Sequence, residues 1–267
     1  MKKYISFFRV RFSVGIQYRM AAITALTTQL IWGMMECLAY KVIYDSNPGS
    51  FSMEYSALVS YIWLKEAFFA LFNTWAMDND LFQMILDGGI AYEMCRPVSL
   101  YGMWFTRNMS GRVAEAALRC VPVLIGALLL PIPYKIGAPV SAAALGLFAF
   151  TLIMALLVTV SFCMVIYMLC FFTISPQGWR VLFLGMVEFL AGAVIPLPFI
   201  PQPYRGLIEL LPFASMQNVP FRIYSGDLNG EAMWTAIGLQ LFWILVLNLI
   251  GMLLYKRVER RVVVQGG

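Results

Sequence analysis

The sequence predicts an all-α integral membrane protein with six transmembrane helices, an N-terminal interfacial helix and irregular, re-entrant helices before the last span. Three observations carry that reading. Apolar residues make up 61% of the 267-residue chain and charged residues 12%, far from the roughly half-apolar, quarter-charged balance of a soluble domain. Apolar runs of about 20 residues recur along the whole length, which leaves room for one membrane domain over 1–267 and no separate soluble core. The 19 Lys and Arg residues gather at the borders of those runs, so the net charge of +5 encodes topology and is not a nucleic-acid signal.

Met1 to Arg19 mixes Phe7, Phe8, Val10, Phe12 and Ile16 with Lys2, Lys3, Arg9, Arg11 and Arg19, the composition of a helix resting in the headgroup region. Residues 1–20 are read as that interfacial helix, with Arg9, Arg11 and Arg19 at the membrane interface. The stretch leads into a full-length span without a small-residue cleavage site, so it is expected to stay in the mature protein. The first span covers about Ala21 to Tyr40, and Asp45-Ser46-Asn47-Pro48-Gly49-Ser50 supplies a turn. A second span follows from about Tyr55 to Met77.

From 78 to 112, Asp78, Asp80, Asp87, Glu93, Arg96, Arg107 and Arg112 interrupt the apolar pattern. The third span, about Val113 to Leu130, stops at Pro131-Ile132-Pro133, since proline supplies no amide donor and disfavours helix in the residue before it. The fourth, about Val140 to Phe172, exceeds the roughly 20 residues a crossing needs and must tilt, bend or protrude. Ser175-Pro176-Gln177-Gly178 precedes a fifth span, Trp179 to about Ile195, which Pro196-Leu-Pro-Phe-Ile-Pro201-Gln-Pro203 breaks. Residues 196–231, interrupted again by Pro212 and Pro220, suit interfacial or re-entrant helices, whose irregular backbone needs protein or water partners. The sixth span runs from about Ala232 to Tyr255, ahead of Lys256, Arg257, Arg260 and Arg261. Six crossings put both termini on one side. With the termini cytoplasmic, the inner segments hold about thirteen Lys and Arg residues and the outer loops about four, namely Lys41, Lys135, Arg205 and Arg222.

The chain contains no histidine, which removes histidine-dependent triads and the common histidine-containing zinc sites. It also lacks the glycine-rich loop with lysine that cradles nucleotide phosphates. Cys37, Cys95, Cys120, Cys163 and Cys170 are odd in number and without metal-type spacing, so buried free thiols are expected and no metal. Charges within the spans are Glu36, Lys65, Glu66, Glu115, Arg119 and Glu188; each costs about 2.5 to 3.5 kcal/mol at a bilayer centre. Glu115 and Arg119 stand four apart in the favourable order for a local ion pair. Lys65 and Glu66 are adjacent and point to different helix faces, so they are not expected to neutralise each other. Glu188 either lines a polar passage or pairs across a subunit interface, and both require it to face protein. The carboxylates are scattered rather than arranged as a relay, and no selectivity-filter sequence stands out. No internal repeat is evident. A non-transport scaffold and an ion-driven secondary carrier remain the alternatives to a partner-driven transport subunit.

The order of these elements resembles that of ABC-2 type permeases, the membrane-spanning subunits of bacterial ATP-binding-cassette exporters, over essentially the whole chain. The most specific local match is Asp87-Gly-Gly-Ile-Ala-Tyr-Glu-Met-Cys-Arg-Pro-Val-Ser99, which resembles the family's glycine, acidic residue, proline pattern between the second and third spans. The resemblance implies a coupling helix in a cytoplasmic region 78–112, with Asp80, Asp87, Gly88, Gly89, Glu93, Arg96 and Pro97 against a nucleotide-binding ATPase. The second match is Glu188-Phe-Leu-Ala-Gly-Ala-Val-Ile-Pro196-Leu-Pro198, followed by the stretch from Leu210 to Arg222. It resembles the family's break at the outer end of the fifth span and implies a translocation path or gate at Glu188, Gly192, Pro196, Pro198 and Pro212. The resemblance further implies an exporter subunit for an amphipathic drug, peptide or lipid-like substrate, itself not an enzyme and binding no cofactor. ATP and Mg would sit on two copies of a separate ATPase. A second permease, related or identical, would complete the pathway in a bacterial inner membrane. The closing Val-Val-Val-Gln-Gly-Gly resembles small bacterial permeases encoded as non-identical pairs, which favours a related partner.

Overall fold

The computed structural model describes residues 2–17, 19–46, 51–75, 77–173 and 176–260, and all regular structure among them is helical. In chain order the helices are α1 Lys2–Gln17, α2 Arg19–Ser46, α3 Tyr55–Ala67, α4 Phe69–Phe72, α5 Asn79–Leu86, α6 Ile90–Met94, α7 Leu100–Leu129, α8 Ala142–Cys170, α9 Pro176–Leu190, a single 3-10 turn Leu197–Phe199, α10 Tyr204–Glu209, α11 Asn218–Ser225 and α12 Gly230–Glu259. The turn expected at 45–50 begins later, since α2 continues through Asp45 and Ser46; residues 47–50, the side chain of Arg19 and the closing Val-Val-Val-Gln-Gly-Gly lie outside the described residues.

A helix that is apolar on every side must be enclosed or face lipid, and the two most apolar helices divide on that choice. The most apolar stretch of α8 has a mean hydropathy of 2.6 and is 78% buried; the helix packs against α7, α9, α11 and α12 at the centre of the bundle. The most apolar stretch of α12 has a mean hydropathy of 2.2, but only 22% of it is buried, leaving Leu241, Phe242, Leu245, Leu249 and Leu253 exposed. Among the described residues these two helices are each long and apolar enough to cross a membrane. Amides fix their register. Fully buried Gln240 on α12 donates from Nε2 to the carbonyls of Thr151 (3.2 Å) and Ser215 (3.0 Å). Asn248 donates to Ser161 Oγ at 2.7 Å and accepts from the Tyr101 hydroxyl at 3.2 Å, joining α12, α8 and α7. Each such bond contributes on average about 0.6 kcal/mol between membrane helices.

The N-terminal helix packs lengthwise on α7. Tyr4 meets Gly102, and Gly15 lies so close to Ala114 that a Cβ there would stand 2.7 Å from the alanine methyl. Both contacts advance together along the two chains, so α1 runs parallel to the first half of α7. A headgroup position for α1 therefore carries Leu100 to about Ala114 to the same level. The charged stretch expected as loop up to 112 is accordingly split: α7 begins at Leu100, capped by Ser99 Oγ accepting from the Gly102 amide at 3.4 Å, rather than at about Val113.

The second apolar run also differs from its expected course. Its helix breaks at Phe68 and ends for good at Phe72, short of Met77. The last carbonyls of a helix need outside donors, and buried Arg112 of α7 supplies them, donating to the carbonyls of Leu71 (3.0 Å) and Asn73 (2.9 Å). Its remaining bonds go to Asn108 Oδ1 at 2.7 Å and Cys163 Sγ at 3.3 Å.

Candidate functional site

The fifth apolar run stops at Leu190 instead of about Ile195, because the chain turns at Gly192 with φ 78° before any proline is reached. Glycine reaches that left-handed conformation without the cost other residues meet. The turn is held from α3. The Tyr61 hydroxyl donates to the Gly192 carbonyl at 3.0 Å, and Lys65 Nζ donates to the Ala193 carbonyl at 3.1 Å. Lys65, 6% exposed, also bonds the Glu36 carboxylate on α2, with 2.6 Å to Oε2. Its distance to Glu66 Oε1 is 3.6 Å, which corrects the expectation that these neighbours do not neutralise each other. The four-carbon lysine stem carries its charge away from its own helix face. One ammonium thus serves two carboxylates and an exposed helix end, joining α2, α3 and the break after α9.

Glu188, one turn before that break, accepts a hydrogen bond from the Trp75 indole at 3.0 Å. Pro196, Leu197 and Pro198 are buried, and Ser52 Oγ donates to the Pro198 carbonyl at 3.3 Å. Phe199 fits among Tyr40, Phe51 and Tyr44, with ring centroids 5.3, 5.2 and 6.3 Å away. Pro212 is buried in the turn between α10 and α11. The structure therefore brings Gly192 to the Lys65 cluster, ties Glu188 to Trp75 instead, and seats Pro198 against Ser52 between α2 and α3.

Trp75 belongs to the segment leading into α5, which is tied to three other helices. Asp78 caps α5 by accepting from the Asp80 amide at 3.0 Å. Arg107 of α7 pairs with Asp78 at 2.5 Å and Asp80 at 2.9 Å. The Asp78 amide donates to the Tyr167 hydroxyl of α8 at 2.8 Å. Arg180 of α9 donates to Asn79 Oδ1 and to the Trp75 carbonyl, each at 2.8 Å. Beyond this anchored base, α5 and α6 form a hairpin turned by Gly88, whose φ is 71°.

A family model described as ABC-2 family transporter protein matches residues 30–266. The chain belongs to the ABC-2 transporter family. It is thus a membrane protein and the permease component of an ABC transporter, a class that lacks an ATPase site and works with ATP-binding subunits. No curated protein matches the chain. The match begins within α2 and takes in both clusters, leaving α1 outside it.

Within this permease the sequence-expected contact residues separate by position. Asp87 and Gly88 are exposed at the hairpin tip beside partly buried Gly89. Glu93 pairs with Arg96 at 3.2 Å, and the Pro97 carbonyl accepts from Lys3 Nζ at 3.0 Å. Asp80 belongs to the anchored base through Arg107. Sequence reasoning passed over Leu86 and Tyr92, which are 50% and 84% exposed at the tip. Spacing could not reveal Leu86, which stands four residues after buried Phe82 on the same helical face and is exposed because α5 ends there. Arg9 is exposed on α1, and Arg11 lies over the Phe7 ring at 5.4 Å. The Glu115–Arg119 pair forms at 3.5 Å as expected. Cys37, Cys163 and Cys170 are buried, whereas Cys95 is exposed on the α6 side of the hairpin. Among the described residues no group of three metal-ligating side chains occurs.

Proposed function

We propose that this permease is one half of an ATP-driven exporter in a bacterial inner membrane, moving an amphipathic drug, peptide or lipid-like substrate out of the cytoplasm or inner leaflet. Its six crossings are α2, the broken α3–α4 pair, α7, α8, α9 and α12, with both termini cytoplasmic. Two ATPase copies hold the ATP and Mg, and a second permease, related in sequence, completes the pathway. The α5–α6 hairpin is the coupling element, with Asp87, Gly88, Gly89, Glu93, Arg96 and Pro97 near the ATPase, and Leu86 and Tyr92 as its apolar anchors. Asp80 holds the base of that element. Glu188, Gly192, Pro196, Pro198 and Pro212 form the outer gate.

The observation that carries this reading is the attachment of residues 75–80 to α7, α8 and α9 at once. A push on the hairpin cannot be absorbed by a free loop; it reaches three helices together, as rigid-body rotation requires. Only about a turn of α9 separates Glu188, bonded to Trp75 of that same segment, from the Gly192 break, so the outer gate shares the linkage.

The test is ATPase activity of the complex co-purified in lipid. Wild type is expected to recover an ATPase, and a variant with alanine at Asp87, Glu93 and Arg96, or at Leu86 and Tyr92, to lose it. An intact membrane complex that brings down no ATPase would favour a scaffold or an ion-driven carrier instead. Mass measurement of the same preparation is expected to show two permease masses; one mass at full activity sinks the heteromeric pairing.

A further inference from the structure

The charges of the Lys65 cluster do not balance. Glu36 and Glu66 bring two carboxyl groups and Lys65 one ammonium, and Lys65 and Glu66 are each 6% exposed. The ammonium has three N–H bonds to give, which go to the two oxygens of Glu36 and to the Ala193 carbonyl at 3.1 Å. Glu66 Oε1 is left 3.6 Å from Nζ, beyond hydrogen-bond reach. No neighbouring element makes up the difference. Cys37 and Tyr40 of α2 and Tyr61 of α3, the other titratable groups beside the cluster, carry no positive charge in any state. On α7, Arg112 is engaged at the carbonyls of Leu71 and Asn73 and Arg119 pairs with Glu115. Arg222 of α11 is held between Glu209 and Asp227, Glu188 of α9 is bonded to Trp75, and α4 has no titratable residue. The charges that act on Glu66 are those of Lys65 and Glu36. A buried carboxyl group without a donor settles such an imbalance by taking a proton.

We propose that the cluster binds one proton, on the Glu66 carboxyl, and that this proton is what leaves Lys65 free to hold the Ala193 carbonyl at the break after α9. With Glu66 neutral, the ammonium and Glu36 cancel, and the third N–H bond goes to the backbone. When the proton passes to solvent as pH rises, two carboxylates compete for one ammonium. Both attract it more strongly than a neutral carbonyl does, because each carries a full charge. The Ala193 carbonyl is the partner that loses, so the break is held with the proton on and loosened with it off. The proton site rests on the cluster alone; only its use in controlling an outer gate rests on the export reading.

Infrared spectra of the full-length chain, without ATPase or nucleotide, test the site whether or not an ATPase is recovered. In bilayers of ether-linked lipid, which bring no ester carbonyl, wild type at about pH 7 is expected to show the carbonyl stretch of a protonated carboxylic acid, since ordinary carboxyls are ionised there. Glu66→Gln is expected to remove the band. Glu36→Gln is expected to remove it too, because Lys65 then has a single carboxylate to neutralise. Glu54→Gln, at an exposed carboxyl, is expected to keep it. The amide of Val194, which donates to the Glu188 carbonyl at 3.2 Å, reports on the break. With the base-catalysed rise common to all amides divided out, its hydrogen-exchange protection in wild type is expected to fall by about tenfold between about pH 7 and about pH 9, as the loss of one bond to a charged group allows. Glu66→Gln, which keeps the shape of the neutral acid, is expected to protect Val194 equally at both. No acid band in wild type, or one that survives either Glu66→Gln or Glu36→Gln, overturns the proton site. Protection of Val194 in wild type that does not change with pH overturns the hold of that proton on the break.

Discussion

At Gly192 two constraints meet that no side chain satisfies together. The backbone is left-handed at φ 78°, and an added Cβ would stand 2.8 Å from the Tyr61 hydroxyl. A left-handed residue with a Cβ costs roughly 1–2 kcal/mol, and the collision adds to it, since that hydroxyl is itself bonded to the Gly192 carbonyl. Gly192→Ala should therefore lower thermal stability in lipid by more than the backbone cost alone, and should cost less in a Tyr61→Phe background, where the lost hydrogen bond is common to both members of the comparison and only the collision is relieved. An equal loss from Gly192→Ala in the two backgrounds would show that the hydroxyl does not collide with the added Cβ. Glu209 offers a second residue-scale test. Burial pushes its carboxyl up, but hydrogen bonds from Arg205 and Arg222 and their charges outweigh burial and hold it below the ordinary value of 4.5. The native state thus binds this proton less readily than the unfolded chain, and the stabilisation is complete above that ordinary value and lost as pH falls through the lower native one. Melting curves should show Glu209→Gln less stable than wild type at about pH 7, with the gap closing on acidification below 4.5. A gap constant across that range would mean the carboxylate charge is not what Arg205 and Arg222 recognise.

On the scale of elements, the Lys65 cluster makes α2, α3 and the end of α9 one mechanical unit. Removing one member of a buried ion pair leaves a charge without its partner, at about 3–5 kcal/mol. Lys65→Met leaves Glu36 and Glu66 facing each other across a buried site and is expected to destabilise on that scale; adding Glu36→Gln should restore part of the loss. Strict additivity of the two substitutions in a melting assay would show that the pair does not couple. Elements such as this one mark where sequence reading ends. α8 and α12 were legible because an unbroken apolar run needs nothing but its own composition to declare itself. The end at Phe72 was not, because the donor that makes a free helix end tolerable there, Arg112, comes from α7. The proline cluster announced an interruption near the fifth run, yet the stop is set by the conformation of Gly192, which a sequence of glycines and prolines does not order. Lys65 and Glu36 were each visible as charges within apolar runs. Their partnership spans 29 positions, beyond the reach of any helical spacing rule.

For the molecule as a whole, the arrangement of crossings turns on α7. A helix of 30 residues is about 45 Å long at 1.5 Å per residue, against a hydrocarbon core of about 30 Å, so in the proposed arrangement, where α7 crosses, roughly a third of it would project. Its first half holds Arg107 and Arg112 and runs beside α1 with its lysines and arginines, whereas its last turns, through Leu129, carry no charge. The projecting part is therefore the N-terminal one, on the side where basic residues accumulate. This makes a prediction that the chain's own cysteines can report. Cys95 is exposed just before α7, Cys37, Cys163 and Cys170 are buried and Cys120 is only partly exposed, while Lys135 is exposed just after α7. One helix separates the two exposed positions. A membrane-impermeant maleimide should label Cys95 in inverted vesicles and not in intact spheroplasts, and should label Lys135→Cys in a Cys95→Ser background with the opposite preference. Labelling of both positions from one face would mean that α7 does not cross, and with it the six-crossing arrangement would fall. Opposite labelling with the faces exchanged would keep the crossing and reject the orientation read from the basic residues. If the hairpin is the proposed contact surface, added ATPase partner should shield Cys95 and leave the Lys135→Cys variant as reactive as before.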